Sequence, residues 1–333
     1  MTDRKNNPSG EDSLIARYFR PLATDPGAFN LDDDAAILKA SGEDVVVTTD
    51  AIVEGVHFLP DDPPETIARK ALRVNLSDLA AKGATPAGFV LTLALRSADD
   101  AWLKPFARGL GEDAAEFGCP LLGGDTVSTP GPKMISIAAF GRVPAGKMVH
   151  RSGAKPGDRV VVTGTIGDAA LGVAILKGGA VAAALANDTL AKDMLVGRYR
   201  LPQPRNALAK AIRDHASAAM DVSDGLAGDL AKLCAASGVS AAIDAPSIPL
   251  SAAAAALLAR GGVGIDAVVS GGDDYEILCA IPEISFEAFV QAAGLGGVAV
   301  TVIGTVIAGS SAPCFLDAEG REIPLPRLSY SHF

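Results

Sequence analysis

Five short acidic motifs recur along this chain: Asp32–Asp34, Asp50, Asp78, Asp125 and Asp221–Asp224. Each falls where an apolar run gives way to a loop, or on the apolar stripe of a helical segment. Apolar strands that end in such loops and lead into helices read as α/β units, so this recurrence limits the architecture more than any single motif. The fullest example is the stretch LDDDAAILKASGEDVVVTTDAIVEGVHF. Its β-branched run, Val45–Val46–Val47–Thr48–Thr49, reads as a buried strand ending at Asp50, and a loop with Glu54, Gly55 and His57 follows. A carboxylate at the carboxyl end of a buried strand sits where open α/β sheets place ligands. Thr48, Thr49 and Asp50 offer hydroxyl, carbonyl and carboxylate oxygens, the donors that hard cations such as Mg²⁺ take. Taken alone, Asp32–Asp34 reads as a solvated acidic turn.

Length and composition read as a soluble chain of about two domains. At 333 residues, 49% hydrophobic and 20% charged, it holds enough apolar side chain for more than one core. The net charge of −10 excludes a general nucleic-acid surface, but not nucleotide binding, because metal ions bridge carboxylates to phosphates. Cys119, Cys234, Cys279 and Cys314 form no CxxC pair and lie in apolar contexts, which reads as buried reduced thiols. The opening MTDRKNNPSGED lacks the apolar core of a signal peptide and no run is long enough to span a bilayer, so a cytoplasmic protein with no membrane partner is expected.

In chain order, SLIARYF reads as a short helix capped by Asp12 or Ser13. Pro63–Pro64–Glu65 starts a helix through about Lys82, with Ile67, Ala71, Val74 and Asp78 on one stripe and Gly83 ending it. A carboxylate on an apolar face needs a partner, either a backbone amide or arginine, or a metal. A strand over 88–96, a helix over 99–118 and a short buried strand over 119–123 lead into Gly123–Gly124–Asp125–Thr126, read as a glycine turn open to an anion. Another strand covers 133–143. The polar segment VHRSGAKPGD places a domain boundary near residue 148, giving domains over 1–148 and 149–333. Arg151 there reads equally as a phosphate clamp or an exposed linker arginine.

Further strand–loop–helix units follow: a strand over 159–163, the GTIGD loop and a helix over 169–177, then LPQPR and a helix over 206–215. GTIGD lacks GK[ST] and is not a P-loop. The strand Ala218–Val222 delivers Asp221, Ser223 and Asp224 onto the start of the helix Leu226–Ser237. SGGDDYE precedes a strand over 275–281, a helix spans 286–293, and a strand lies within 298–307. The aromatic end RLSYSHF reads as a docked tail. So many carboxylates in one cleft would repel one another unless divalent cations sat among them, which points to polyphosphate chemistry.

Together these motifs resemble the thiamine-monophosphate kinase family, within the ATP-binding superfamily of aminoimidazole-ribonucleotide synthetase and selenophosphate synthetase. The resemblance runs through SLIARYF, DDAAIL, TTDAIVEGVHF, KALRVNLSDLAAKGA, LLGGDT, RSGAKPGD, TGTIGDAALG, MDVSDGLAGDL, SGGDDYE and YSHF. It implies an α/β fold with mixed sheets in two domains, the N-terminal one binding ATP and magnesium and pairing across a homodimer, the C-terminal one closing over the nucleotide. It implies ATP-dependent phosphorylation of thiamine monophosphate to thiamine diphosphate, the final step of that cofactor's biosynthesis, with several Mg²⁺ ions and ATP as co-substrate. Carried over by motif, the magnesium ligands are Asp34, Thr48, Thr49, Asp50, Asp78, Asp125, Asp221 and Asp224. Gly124, Asp125, Arg151 and Ser223 meet ATP, and His57, Asp273 and Tyr330 meet thiamine phosphate. Asp78 and Arg151 act electrostatically, and no side chain is assigned as base or nucleophile. Two positions depart from the family pattern: Asp32 stands where glycine is usual, and Asp273 where glutamate is usual.

Overall fold

The computed structural model describes residues 14–31, 38 and 41–329, so Asp32–Asp34 and Tyr330, with the caps expected at Asp12 or Ser13, lie outside it. The chain divides into two compact units, Met1–Asn75 with Pro86–Arg142 and Leu76–Thr85 with Val143–Phe333.

Unit 1 is built on a four-stranded sheet of β1 (Glu43–Val53), β2 (Thr85–Leu95), β3 (Leu121–Ser128) and β4 (Met134–Pro144), in the order β1-β4-β2-β3. Helix α1 spans Pro64–Ala81, and the unit boundary falls within it after Asn75. Its Pro64 and Glu65 suit a first turn, Ile67, Ala71 and Val74 are buried, and Gly83 (φ +71°) follows its end in the left-handed region. Helix α2 (Asp100–Glu116) is capped by Asp99, which accepts from the Ala101 amide at 3.0 Å. The two helices approach closely at Gly109, where a Cβ would stand 2.5 Å from the Glu65 carbonyl oxygen. Arg73 locks that packing with two hydrogen bonds, at 2.6 and 2.9 Å, to the fully buried Asp113.

Two expectations for this sheet are corrected. β1 does not end at Asp50 but runs on to Val53, and it is an edge strand rather than a buried one. Val46 and Ile52 are buried, while Val45 and Val47 are 44% and 61% exposed. A run apolar on both faces says that both want cover, and only one face finds it within the described chain. Likewise Gly123–Gly124–Asp125–Thr126 is not a turn; it lies within β3, paired in parallel with β2 at Leu91↔Gly124 and Thr92↔Asp125. The glycine is needed there for room, because a Cβ on Gly124 would stand 2.0 Å from the Leu91 carbonyl oxygen.

Unit 2 holds a six-stranded mixed sheet in the order β10-β7-β9-β5-β8-β6. Its strands are β5 (Arg159–Thr163), β6 (Ala218–Val222), β7 (Ser240–Asp244), β8 (Glu276–Ile281), β9 (Val300–Ile307) and β10 (Cys314–Leu316). All neighbours are antiparallel except β7 and β10. Alternation along the strands feeds two cores. Val160, Val162, Met220, Val222, Leu278 and Ala280 pack with Leu226, Leu230 and Leu233 of α7 (Leu226–Ser237) on one face. Val161, Ala219, Ile277, Cys279 and Ile281 pack with Ile212, Phe289, Ala80 and Ala81 on the other. Both faces covered is why these strands read as continuous apolar runs. Between β5 and β6 come α3 (Asp168–Lys177), α4 (Ala180–Ala184), α5 (Thr189–Arg200) and α6 (Ala209–His215); after β7 come α8 (Ala252–Ala259), α9 (Ile265–Val269) and α10 (Glu283–Leu295).

All four cysteines are free, Cys119, Cys234 and Cys279 buried and Cys314 half-buried. Burial pushes the Cys119 thiol up to about 12 and Cys234 up to about 11, so both stay protonated, inert thiols. The chain before the aromatic end is docked: Ser270 Oγ donates to the Arg327 carbonyl at 2.8 Å, and Leu328 packs against the first core. Among the described residues no helix is long and apolar enough to cross a membrane.

Candidate active site

The densest gathering of the expected residues is in unit 2, where β6 ends and β8 begins. Asp221 pairs with Ile277 and Val222 with Glu276, which puts the loop after β6 beside the loop before β8. Ser223 and Asp224 are on the first loop, and Asp221 is inside β6, one residue short of its end. The Asp273 amide donates to the Ser223 carbonyl at 2.8 Å, and the Tyr275 amide to the Val222 carbonyl at 2.8 Å. Gly272 lies against the same loop, where a Cβ would stand 2.6 Å from the Ser223 carbonyl oxygen. These bonds fix Asp273 next to Ser223.

Asp229, one turn into α7, holds the first loop from below. Its fully buried carboxylate accepts from the Ser223 and Asp224 amides, both at 2.9 Å. Lys232 Nζ completes the arrangement, at 2.6 Å from Asp224 Oδ2 and 2.8 Å from Asp229 Oδ1. Burial pushes the Asp229 carboxyl up, and the Lys232 ammonium opposes that. The second loop is pinned by Asp274, a fully buried carboxyl that accepts from the Gly167 amide at 2.8 Å; burial raises it well above the usual carboxylate range.

Lys82 ties three further segments to this end of the sheet. Its carbonyl accepts from the Val149 amide at 3.1 Å, its Nζ donates to the Ala219 carbonyl at 2.8 Å, and the Ala219 amide donates to the His150 carbonyl at 3.0 Å. Asp78 is one helical turn before Lys82, Arg151 is one residue beyond His150, and Asp221 is on the same face of β6 as Ala219. Burial and the neighbouring Arg151 charge lower the Lys82 ammonium, while Asp221 and Asp78 draw it back up. Asp78, Arg151, Asp221, Ser223, Asp224 and Asp273 therefore share one region of unit 2. Asp78 is half-buried and Arg151 exposed.

In unit 1 the expected residues are dispersed. Thr48, Thr49 and Asp50 are on β1, where Thr49 Oγ1 donates to the Ile137 carbonyl at 3.1 Å. His57 follows β1, with its Nδ1 accepting from the Val53 amide at 3.0 Å, which leaves Nε2 as the protonated nitrogen of the neutral ring. Gly124 and Asp125 are exposed on β3, at the opposite edge. With β4 and β2 between them, three strand spacings of about 4.8 Å put β1 and β3 roughly 14 Å apart along the sheet. Asp50 and Asp125 of one chain are thus not brought together. The premise that every acidic motif ends a strand or lines a helix is corrected for these two, which lie inside strands.

Among the described residues no three His, Cys, Asp or Glu side chains converge on one point. The donor set nonetheless suits Mg²⁺, which takes only oxygen ligands and commonly uses one or two carboxylates with substrate phosphates supplying the rest. Sequence reasoning missed Asp229, Lys232, Lys82, Asp274 and Glu276. The only local signal was a carboxylate and a lysine three apart in LAGDLAKL, which reads as an ordinary helix-surface pair.

Comparison with known proteins now defines the class. Residues 32–143 match the family "AIR synthase related protein, N-terminal domain", and residues 155–314 match "AIR synthase related protein, C-terminal domain". The two-domain α/β fold with mixed sheets is theirs. Within that class, the thiamine-monophosphate kinase of Caulobacter vibrioides is 44% identical over 331 residues, covering 98% of this chain and 91% of that protein. A crystal structure of the thiamine-monophosphate kinase from Stenotrophomonas maltophilia K279a superposes with a TM-score of 0.81 at 36% identity, covering 94% and 96% of the two chains. AaThiL, solved in complex with AMPPCP and TMP, superposes with a TM-score of 0.76 at 29% identity over 90% and 91%. The chain belongs to the thiamine-monophosphate kinase family.

Proposed function

We propose that this chain transfers the γ-phosphoryl group of ATP directly to the phosphate of thiamine monophosphate, giving thiamine diphosphate and ADP. The observation that supports it most is the gathering of Asp78, Arg151, Asp221, Ser223, Asp224 and Asp273 at one end of the unit 2 sheet. The acceptor phosphate has a second pKa of about 6 and is already largely dianionic at neutral pH, so no general base is required. The obstacle is repulsion between two anions. Arg151 opposes it by fixed positive charge, and magnesium, when bound, supplies the remaining neutralisation. We assign Asp78, Asp221 and Asp224 in unit 2, and Thr48, Thr49, Asp50 and Asp125 in unit 1, as its ligands, with Asp34 from the undescribed segment. Gly124, Asp125, Arg151 and Ser223 contact ATP, and His57, Asp273 and Tyr330 the acceptor. We further assign residues 1–148 to ATP and magnesium binding and to dimerisation, and 149–333 to closing over the nucleotide. Four unpaired cysteines fit a reducing, cytoplasmic setting.

The test is to measure ADP, inorganic phosphate and thiamine diphosphate together, from Mg·ATP with and without thiamine monophosphate. One thiamine diphosphate per ADP is expected. Phosphate released at the same rate without acceptor would make the chain a hydrolase instead.

A homodimer through the open face of the unit 1 sheet is part of the same proposal. Val45 and Val47 leave an apolar surface on β1 that a second copy would cover. A partner would also remedy the separation of Asp50 from Asp125, by offering its own β3 to this chain's β1. Val47→Glu should therefore yield a monomer by sedimentation and a loss of activity together. A fully active dimer carrying that charge would place the interface elsewhere.

A further inference from the structure

We infer that Lys232 is a positioning residue: an internal cation that holds Asp224 and competes with a divalent ion for it. The inference rests on the assignment of Asp224 as a magnesium ligand.

Three charged side chains meet at the start of α7. Asp229 is saturated, with Oδ2 taken by the Ser223 and Asp224 amides and Oδ1 by Lys232. It is fully buried and faces no solvent. Asp224 differs: its side chain is 37% exposed, and its Oδ2 accepts from Lys232 Nζ at 2.6 Å. Lys232, 40% exposed, therefore spends one donor on a buried structural carboxylate and a second on one that faces solvent.

Two carboxylates and one ammonium leave a net charge of −1. A divalent ion on Asp224 would meet an ammonium already bound to the same carboxylate, and must share or displace it. Asp229 keeps its two amides in either state, so the loop bearing Ser223 and Asp224 does not depend on Lys232 for its backbone path. The lysine sets how Asp224 is held and how strongly it takes a second cation. Arginine would preserve the charge; methionine would preserve the stem and remove it.

The experiment is a Mn²⁺ titration followed by electron paramagnetic resonance, without nucleotide. It uses the full-length wild type, Lys232→Met, Lys232→Arg and Asp224→Asn, with thermal unfolding of each with and without saturating Mn²⁺. For the sites lost in Asp224→Asn, Lys232→Met should bind Mn²⁺ about three- to tenfold more tightly, the scale expected for a half-exposed pair acting on a divalent ion. Lys232→Arg should behave as wild type. Lys232→Met should unfold at lower temperature than wild type without metal, and the gap should narrow when Mn²⁺ is bound. Unchanged or weaker Mn²⁺ binding, with the same stability loss in both conditions, would leave Lys232 a purely structural residue. If Asp224→Asn removes no Mn²⁺, the assignment of Asp224 falls, and the inference with it. If it does while Lys232→Met changes nothing, only the inference falls.

Discussion

Asp78→Asn is expected to lower thiamine diphosphate formation by roughly 10²–10³-fold, the scale for loss of one preorganised electrostatic element at a phosphoryl-transfer site. The substitution keeps the shape and removes the charge, so unfolding should change little. Asp78 is half-buried at the end of the Ile67, Ala71, Val74 stripe, one helical turn before the lysine that ties α1 to β6. In that setting the carboxylate draws the Lys82 ammonium up, a role separate from the magnesium binding proposed for it. The magnesium concentration for half-maximal rate should rise in the variant, and the residual rate should respond to excess Mg²⁺. A variant with wild-type rate and magnesium response would remove Asp78 from the metal site, whatever its effect on stability.

The second large effect is on stability. Glu276 is fully buried at the start of β8 and is the post to which the end of β5, helix α5 and the loop after α5 are tied. Its Oε2 accepts from Thr163 Oγ1 at 2.6 Å and Arg205 Nε at 2.7 Å; its Oε1 accepts from Arg198 Nη2 at 2.5 Å and from Arg205 Nη2. Thr163 Oγ1 in turn accepts from the Ile277 amide at 2.8 Å. Glu276→Ala leaves two arginines, each largely buried, without their counter-charge. Removing one partner of such a network costs about 3–5 kcal/mol. For a unit near 200 residues that is roughly 6–20 °C in unfolding temperature, at about 2–4 °C per kcal/mol. Glu276→Gln, which keeps shape and part of the bonding, should lose less. Melting curves of the two within 1–2 °C of wild type would mean that the arginines find water at no cost.

What was legible in the sequence follows from how local each signal is. The strand Ala218–Val222 and the helix Leu226–Ser237 lie where they were expected, because Gly225 at φ +114° and Gly238 at φ +67° bracket the helix in the sequence itself. Helix α1 was legible from Pro64, Glu65 and Gly83. β1 was not, because a Val-Val-Val-Thr-Thr run is compatible with a strand covered on both faces or with an edge strand bare on one. Nor was β3: Gly-Gly-Asp reads as a turn until Leu91 of β2, over thirty residues away, is seen to need the space. The separate uses of Asp273 and Asp274 could not be told from adjacent letters either. Asp274 is claimed by the Gly167 amide, 107 residues earlier.

The backbone at Asp273 bears on which side chains this corner of unit 2 can hold. Asp273 sits at φ +75° and Tyr275 at φ +50°, both in the left-handed region, held there by the amide bonds to Ser223 and Val222. Short side chains that bond locally, Asp and Asn, tolerate that region best after glycine; β-branched ones are excluded. The backbone alone therefore closes position 273 to β-branched side chains, while unbranched ones, glutamate included, stay open. A β-branched substitution at 273 should accordingly loosen this corner of unit 2 before it changes any contact the side chain makes.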